Sequence, residues 1–241
     1  MIHNKNLTII ILAAGKGNRM ESDIPKVLHT INKEPMLIKV LNTAKKLKPS
    51  KILVIVGYKK TLVKNALANE KVIFINQKEQ KGTGHAIKQC LPVLNNSDGN
   101  VLVLSGDVPL IRLNTLSYFI ENHNKNNSSA SLISTELSNP SGYGRIIKKN
   151  NRFLKITEDK DANNEEKKIN EINSGIYIFD ASILLNKIPL ISNNNNQKEF
   201  YLTDIFKFMS SKKVTTFKIK DEIEISGVNT SKQLKFLESI N

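Results

Sequence analysis

Four short runs of apolar, mostly β-branched residues constrain the fold of this chain more than any other feature. Each run is almost continuously apolar, as strands are when helices cover both faces of their sheet. Strands that alternate with helical patterns predict a parallel, doubly wound sheet with right-handed crossovers. The predicted strands are residues 7–13, 52–56, 72–75 and 101–104, and the predicted helices are residues 35–47, 61–68, a segment after Gly84, and 113–122.

Beyond about residue 128 the pattern changes to shorter strands with hairpin signals. Three of these strands are predicted to form a small antiparallel insertion against the sheet. No linker rich in proline, glycine or serine divides the 241 residues, so we predict one folding unit with two lobes. The strands predicted in this part are residues 131–135, 145–149 and 153–157 in the insertion, then 176–179 and 214–218, with helices over 203–210 and 231–240.

The chain is strongly basic, with a formal net charge of +14 at pH 7. A basic surface could bind nucleic acid by releasing counterions from phosphates. Nearly all of this charge is lysine spread along the chain, however, and arginine occurs only at Arg19, Arg112, Arg145 and Arg152. Dispersed lysine is typical of a compositional bias, so we expect no nucleic-acid partner.

Two further features of the composition exclude other classes of protein. No stretch approaches the roughly 18 consecutive apolar residues of a membrane span, so we expect no membrane partner. Cys90 is the only cysteine, which excludes an internal disulfide, and no cluster of cysteine and histidine offers a zinc site. We expect a soluble, cytoplasmic protein.

The segment LAAGKGNRM places two glycines directly after the first predicted strand. A dinucleotide-binding fingerprint would need a third glycine where Met20 stands, and the spacing of a Walker P-loop is missing. What remains is a turn in which Gly15 and Gly17 let backbone N–H groups close around phosphate oxygens. Arg19 and Lys26 would add positive charge to the same phosphates. Taken alone, the loop is equally well interpreted as a glycine-rich turn with two solvated cations.

Asp107 comes shortly after the fourth predicted strand. That position puts a carboxylate at the carboxyl end of a central strand, where open α/β sheets bind ligands. A hard oxygen ligand there suits Mg²⁺, which takes a few protein oxygens together with phosphates and water. The alternative is a residue that forms the turn after the strand.

Gln77 follows the third predicted strand. Its amide offers both donors and an acceptor, which suits the edge of a pyrimidine, and the turn at Gly82, Thr83 and Gly84 could contact the same base through its backbone. An ordinary polar strand end is the alternative for Gln77. We interpret His85 as a residue at a helix start and not as a catalyst.

Several longer segments follow one another in a characteristic order: PKVLH, QKEQKGTGHA, SGDVPLI, GYGRI, EINSGIY, EFYLTDI and EISGVN. With these, and with the pattern L-x-x-G-x-G followed by P-K, the chain resembles the nucleotidyltransferases that join a sugar 1-phosphate to a nucleoside triphosphate. Within that superfamily it is most similar to the N-acetylglucosamine-1-phosphate uridyltransferases, the amino-terminal domain of a bifunctional bacterial enzyme. The resemblance covers about residues 7–238, and Asn18 replaces a threonine of the family's loop motif.

The resemblance implies an α/β fold with a doubly wound, mostly parallel, Rossmann-like sheet and a small antiparallel β insertion, of the nucleotide-diphospho-sugar transferase type. Residues 1–127 would form a nucleotide-binding lobe, and residues 128–241 a sugar-binding lobe that returns to the sheet. The bifunctional relative continues into a left-handed β-helix that acetylates glucosamine 1-phosphate and drives trimer formation. We expect this chain to lack that domain and that activity, and to be a monomer or a weak oligomer.

The resemblance also implies a role for each matching residue. Arg19 and Lys26 would be catalytic, and Asp107 and Asn229 would bind Mg²⁺ as the cofactor. The substrate-binding residues would be Ala13, Gly15 and Gly17 at the nucleotide, Gln77, Gly82 and Thr83 at uracil, and Gly144, Glu158 and Asn173 at the sugar, with Tyr201 and Thr203 in the pocket wall.

The sequence therefore predicts transfer of UMP from UTP to N-acetylglucosamine 1-phosphate, which gives pyrophosphate and UDP-N-acetylglucosamine, a cell-wall precursor. Three alternatives stay open: a nucleotidyltransferase for another sugar phosphate or base, a catalytically silent protein that binds sugar nucleotides, and a nucleic-acid-binding protein that depends on the lysines.

Overall fold

The computed structural model describes residues 6–20, 22–95, 98–210 and 213–240, which fold into a nine-stranded sheet with helices on both faces and a separate two-stranded antiparallel sheet. The strands are β1 (Leu7–Ala13), β2 (Thr30–Ile31), β3 (Glu34–Pro35), β4 (Lys51–Val56), β5 (Ile73–Asn76), β6 (Asn100–Ser105), β7 (Ala130–Glu136), β8 (Arg145–Lys149), β9 (Arg152–Thr157), β10 (Glu171–Asp180) and β11 (Val214–Lys218). The α-helices are α1 (Met36–Lys46), α2 (Lys60–Ala66), α3 (Thr83–Lys88), α4 (Leu91–Leu94), α5 (Leu113–Lys125), α6 (Asn164–Lys167), α7 (Ala181–Lys187) and α8 (Ser231–Ser239), and short 3-10 helices span Asn18–Met20, Lys26–Leu28, Ile188–Leu190, Leu202–Phe208 and Glu222–Ile225.

The main sheet has the strand order β11-β7-β10-β6-β1-β4-β5. The first strand, β1, lies at its centre and pairs in parallel with both β4 and β6, so that Ile9 lies between Ile52 and Leu102. Strand β10 runs antiparallel to both of its neighbours, β6 and β7, whereas β11 runs parallel to β7. The prediction of a mostly parallel sheet is thus confirmed.

Apolar side chains on both faces of β1 explain why that strand reads as a continuous apolar run. Ile9 and Ile11 are buried on one face, in a core with residues of α1, α2 and α5. Ile10 is buried on the other face, in a core with residues of α3, α4 and α7. A sheet covered on both faces in this way is doubly wound, as predicted.

The insertion is smaller than the sequence predicts, because β7 belongs to the main sheet. All of its residues except Glu136 are buried, so it lies between covered faces. Strands β8 and β9 form an antiparallel hairpin beside the main strand order, and this hairpin pairs with β10 through Ile172 and Arg145. The prediction that groups residues 131–135 with this hairpin is therefore wrong, although β7 does pair antiparallel with β10.

An irregularity in β10 lies beside the hairpin. The register between β10 and β7 shifts between Asn173 and Tyr177, and Gly175 inside this interval has a φ of +78°. A bulge of this kind bends a strand and turns its side chains in a new direction, and bulges are frequent next to binding sites.

Two other regions differ from the sequence prediction. The helical pattern over residues 203–210 folds as the 3-10 helix Leu202–Phe208, and the short helix α7 follows β10 without a separate signal in the sequence. In the described part of the chain, no helix is both long enough and apolar enough to cross a bilayer. The division into two lobes near residue 127 stays a prediction.

A third, small apolar cluster joins parts of the chain that are far apart in sequence. Met20, Ile31 and Met36 pack there with Val228 and Leu237. The cluster connects the end of the glycine loop to the segment before α8, and so places both next to the carboxyl end of β6.

Candidate active site

Three strands of the sheet end at the same edge and carry the predicted site, with β4 lying between β1 and β5. The glycine loop follows β1, Gln77 follows β5, and Asp107 follows β6, so all three lie at the carboxyl ends of parallel strands. A cavity of about 500 Å³ opens at this edge. Its lining residues are Leu12, Ala14, Gly15, Lys16, Gly17, Lys26, Val27, Gln77, Gln80, Gly82, Thr83, Ala86, Ser105, Asp107 and Glu199.

The second glycine of the loop is required by its contact with Lys26. Gly17 has a φ of +68°, and a Cβ added there would lie only 2.6 Å from Lys26 Cβ. At Gly15, by contrast, an added Cβ would meet nothing within 4 Å. The close approach at Gly17 packs the Lys26 side chain directly against the loop.

Lys26 reaches from the loop to both predicted metal ligands. Its ammonium forms an ion pair with Asp107 Oδ2 and donates a hydrogen bond of 3.0 Å to Asn229 Oδ1. Pro25 precedes Lys26 at the start of the 3-10 helix Lys26–Leu28. The three side chains form one cluster, in which a positive charge lies against the two oxygens that the sequence assigns to a cation.

The position of Asn229 is set by backbone contacts on both sides. Val228 N donates to the carbonyl oxygen of Asp107 at 2.9 Å, and Asn229 N donates to Gln233 Oε1 at 2.8 Å. Gln233 also closes a capping box with Thr230, the N-cap of α8. The start of α8 therefore holds Asn229 beside the end of β6.

The oxygen atoms of Asp107 and Asn229 fit a magnesium ion. Both are hard ligands, and Lys26 shows that a cationic group is accommodated between them. The described ranges contain no group of three or more His, Cys, Asp or Glu side chains that could enclose a metal by themselves. A site with so few protein ligands suits a cation that takes its remaining ligands from phosphates and water.

The predicted uracil-binding residues lie together at one corner of the cavity. Gln77 is buried, and its Nε2 donates to the carbonyl oxygen of Gly82 at 3.1 Å. A Cβ added to Gly82 would lie 2.6 Å from the Phe200 carbonyl oxygen, and Leu202 N donates to Thr83 Oγ1 at 2.9 Å. The EFYLTDI segment is thus docked against the GTGH turn.

A second cavity of about 210 Å³ adjoins the first and contains the predicted sugar-binding residues. Gly144, Glu158 and Asn173 line it, and a Cβ added to Gly144 would lie 3.4 Å from Glu158 Oε2 and 3.6 Å from Asn173 Cβ. The two cavities share four lining residues, which are Leu12, Thr83, Ser105 and Asp107.

Polar side chains in the second cavity are held by neighbouring residues. Thr203 Oγ1 donates to Glu158 Oε1 at 2.8 Å, and Asn173 Nδ2 donates to Tyr177 Oη at 2.6 Å. Burial raises the pKa of Glu158, the nearby carboxylate of Asp204 raises it further, and the hydrogen bond from Thr203 lowers it. Burial likewise raises the pKa of the Tyr177 hydroxyl.

Three predicted site residues, Arg19, Ala13 and Tyr201, do not line either cavity, and Tyr201 is buried beside Leu202 and Thr203, which do line the second one. Arg19 is exposed on the 3-10 helix Asn18–Met20, and the side chain of Ala13 is buried at the end of β1. The next residue, Ala14, lines the first cavity in place of Ala13. Arg19 stays a predicted catalytic residue on the strength of the motif alone.

The sequence reasoning also missed residues that line the first cavity. Lys16, Gln80 and Glu199 all contribute to its wall. Gln80 could have been found from the spacing of two glutamines in QKEQ, because Gln80 Nε2 donates to the carbonyl oxygen of Gln77 at 3.1 Å. Glu199 begins the EFYLTDI segment, but its place in the cavity wall depends on the contact of that segment with the distant GTGH turn.

Comparison with known proteins places this arrangement in a family. The family model described as nucleotidyl transferase matches residues 8–223. The chain belongs to the nucleotidyltransferase family. The prediction of a nucleotidyltransferase is thereby confirmed.

Curated relatives of this nucleotidyltransferase include several proteins described as bifunctional protein GlmU. The chain is 43% identical over 236 residues to that of Rippkaea orientalis, covering 97% of this chain and 52% of the relative. It is 44% identical over 238 residues to the GlmU of Clostridioides difficile, and the match covers 98% of this chain and 51% of the relative. It thus spans about half the length of the curated relatives it matches, and the resemblance to the bifunctional bacterial enzyme is confirmed.

Solved structures share the fold of this nucleotidyltransferase. A UDP-glucose pyrophosphorylase complexed with UDP-glucose superposes with a TM-score of 0.75 at 19% identity, covering 96% of this chain and 97% of the other. HddC from Yersinia pseudotuberculosis, complexed with GMP-PN, superposes with a TM-score of 0.69 at 21% identity, and the match covers 97% of this chain and 99% of HddC. These likenesses confirm the predicted α/β fold class.

Proposed function

We propose that the protein transfers UMP from UTP to N-acetylglucosamine 1-phosphate in a Mg²⁺-dependent reaction that releases pyrophosphate. The observation that carries this proposal is the pair of adjoining cavities that both include Asp107 in their walls. One cavity suits a nucleoside triphosphate and the other a sugar phosphate, so the reacting phosphates would meet at their junction. The similarity to bifunctional GlmU proteins supports the same reaction.

The first cavity provides the groups that a nucleoside triphosphate needs. The open backbone at Gly15 would approach phosphate oxygens without a side chain in the way. Lys26 is a mobile point charge that would bind phosphate oxygens while their charge redistributes. At the other end of the cavity, the corner around Gln77 and Gly82 would bind the base.

The second cavity provides polar groups for a sugar. The carboxyl group of Glu158 would accept hydrogen bonds from sugar hydroxyls, with its orientation fixed by Thr203. Asn173, which Tyr177 holds from behind, would line the side of the acetamido group. Held side chains of this kind lower the entropic cost of positioning a substrate.

The chemistry requires positioning and charge neutralisation more than a covalent nucleophile. An oxygen of the sugar phosphate would attack the α-phosphorus of UTP, and the bond to the β-phosphate oxygen would break in line as pyrophosphate leaves. The attacking phosphate is already ionised, so no side chain has to remove a proton. Mg²⁺, when bound by Asp107 and Asn229, would neutralise charge on the phosphates. Lys26 would exchange its contacts with those two residues for contacts with phosphate oxygens.

Pyrophosphate release tests the proposal directly. UTP, CTP, dTTP and ATP are each combined with N-acetylglucosamine, glucosamine and glucose 1-phosphates, with Mg²⁺ and with EDTA in its place. We expect release with UTP and N-acetylglucosamine 1-phosphate, and loss of that release in EDTA. A different best pair would keep the reaction class and overturn the substrate, and silence with every pair, together with binding of UDP-N-acetylglucosamine, would indicate a protein that only binds sugar nucleotides.

A further inference from the structure

The side-chain amide of Gln77 has only one orientation that satisfies its neighbours. The carbonyl oxygen of Gly82 can only accept a hydrogen bond, so the Gln77 atom 3.1 Å from it must be the nitrogen Nε2. The same Nε2 lies 3.1 Å from His85 Nδ1. A primary amide carries two N–H groups, and these two neighbours occupy both of them. The amide oxygen is therefore the polar atom that Gln77 can present to the cavity it lines.

His85 can accept this hydrogen bond only in one tautomer. A neutral imidazole accepts a hydrogen bond at one ring nitrogen and donates one at the other. In the structure an amide nitrogen lies beside each: Gln77 Nε2 is near His85 Nδ1, and Gln89 Nε2 is 3.3 Å from His85 Nε2. Gln77 is 4% exposed, so its second N–H needs a protein acceptor. Gln89 is half-buried, donates to the His85 carbonyl oxygen at 3.1 Å and can also reach water. Nδ1 is thus the acceptor, and the proton is on Nε2.

The orientation of the Gln77 amide decides which pyrimidine it can bind. Uracil carries a proton at N3, which an amide oxygen accepts. In the proposed binding pose the amide oxygen faces N3, where cytosine carries a lone pair and no proton to donate. If the amide were reversed, its N–H groups would face the base and would suit cytosine. A site discriminates most strongly when it fits one ligand and leaves the competitor with an unpaired polar group.

We infer that His85 is a positioning residue that holds the amide oxygen of Gln77 toward the nucleotide base, and thereby makes the protein select uracil over cytosine. This inference rests on the proposed function, since it names what determines the base specificity of the same site. Gly82 fixes one N–H of the amide through its backbone, and His85 fixes the other through its side chain. Only the second of these contacts can be removed by a substitution that leaves the backbone unchanged.

Two substitutions at His85 distinguish the effect of its hydrogen-bond acceptor, Nδ1, from the effect of its side-chain volume. His85→Leu removes the acceptor and keeps an apolar side chain near Phe200, whose ring lies 6.2 Å from the imidazole. His85→Asn places an amide oxygen where Nδ1 lies and so restores the acceptor. The matched control is Lys88→Leu, an exposed position on the same helix, α3.

The decisive quantity is the ratio of kcat/KM for UTP to kcat/KM for CTP, with the same sugar phosphate. We expect this ratio to fall about tenfold in His85→Leu, which corresponds to the loss of roughly one hydrogen bond. We expect it to stay within about twofold of the parent's in His85→Asn and in Lys88→Leu. The ratio of the Kd values of UTP and CTP, measured by calorimetry without sugar phosphate, should change in the same way.

A purely structural role for His85 would lower both kcat/KM values equally and leave their ratio unchanged, which would overturn the inference. So would a His85→Asn variant that discriminates as poorly as His85→Leu. If His85→Leu does not fold, His85→Phe keeps a ring beside Phe200 and is measured in its place. If the parent protein releases no pyrophosphate from any pair, the proposed function fails, and the calorimetric ratio still tests the role of His85.

Discussion

Lys26 donates a hydrogen bond to the side-chain oxygen of Asn229 across 203 positions of the sequence. The same ammonium pairs with Asp107, so the loop after β1, the end of β6 and the start of α8 meet at one charged group. A half-buried charge of this kind is kept in place by its partners, because an isolated charge would lose its hydration without compensation.

Asp107→Ala should lower turnover by about a hundredfold or more, which is the scale of losing one preorganised electrostatic group. The measurement is pyrophosphate release over a range of Mg²⁺ concentrations, with the exposed Asp98→Ala as the control. Near-normal, Mg²⁺-dependent turnover in Asp107→Ala would remove Asp107 from the metal site.

Gly17→Ala and Gly15→Ala form a matched pair for the glycine loop. Gly17→Ala forces a Cβ to within 2.6 Å of Lys26 Cβ at a φ of +68°, so we expect its free energy of unfolding to fall by about 1–3 kcal/mol. Gly15→Ala meets no atom within 4 Å, and its free energy of unfolding should stay within about 1 kcal/mol of the parent's. Urea unfolding measures both, and equal losses in the two variants would show that the contact with Lys26 does not require glycine.

Glu158→Gln should make the folded protein more stable at neutral pH while impairing use of the sugar phosphate. Burial raises the pKa of Glu158 in the folded state, so the native fold favours its protonated form. The contribution of this group to stability is therefore present below its unfolded pKa and is lost as the pH rises through its folded pKa. Glutamine stays neutral and can still accept from Thr203.

The difference in unfolding free energy between Glu158→Gln and the parent should consequently grow between pH 4.5 and pH 7.5. Urea unfolding at the two pH values measures it, with the exposed Glu121→Gln on α5 as the control. A difference that is independent of pH would show that the carboxyl group of Glu158 is not destabilised by its surroundings.

His123 should make the protein sensitive to acid. It is 2% exposed, its Nδ1 lies 2.8 Å from Ser131 Oγ, and burial lowers its pKa to about 4. The unfolded chain takes up the proton first, so this contribution is fully present above about pH 6.5 and is lost as the pH falls through about 4. Between pH 7.5 and pH 4 the loss should be about 3 kcal/mol.

A double variant, His123→Leu with Ser131→Ala, isolates this effect because it leaves no unpaired hydroxyl behind. Its free energy of unfolding should fall less than the parent's over the same pH interval, by about the same 3 kcal/mol. Parallel pH dependence in the two proteins would mean that His123 becomes protonated inside the fold without cost.

The sequence was most informative where a residue's role follows from its own strand. The strand ends before Gln77 and Asp107 could be predicted, because a parallel sheet brings the carboxyl ends of its strands to one edge. The contact of Lys26 with Asp107 could not be derived in this way. It depends on a side chain that crosses from one loop to another over 81 positions of the sequence.

The placement of β7 and of Asn173 shows a second limit. Periodicity predicts a strand over residues 131–135 but does not predict which strands pair with it. Its neighbours, β10 and β11, come from distant parts of the sequence. The irregularity that follows Asn173 also arises from pairing between strands, and its one trace in the sequence is the glycine at position 175, which adopts a positive φ.

The small cluster of Met20, Ile31, Met36, Val228 and Leu237 has a consequence for the order in which the parts of the candidate site assemble during synthesis. Chains fold from the amino terminus as they leave the ribosome, so β1, β4 and β6 can pair before α8 exists. Asn229 arrives last together with Val228 and Leu237, so until then the cluster around Met20 consists only of Ile31 and Met36 among its other buried members. A ribosome-bound chain that ends before Val228 would contain every strand of its sheet but would lack Asn229, which completes both the cation cluster and the wall of the second cavity.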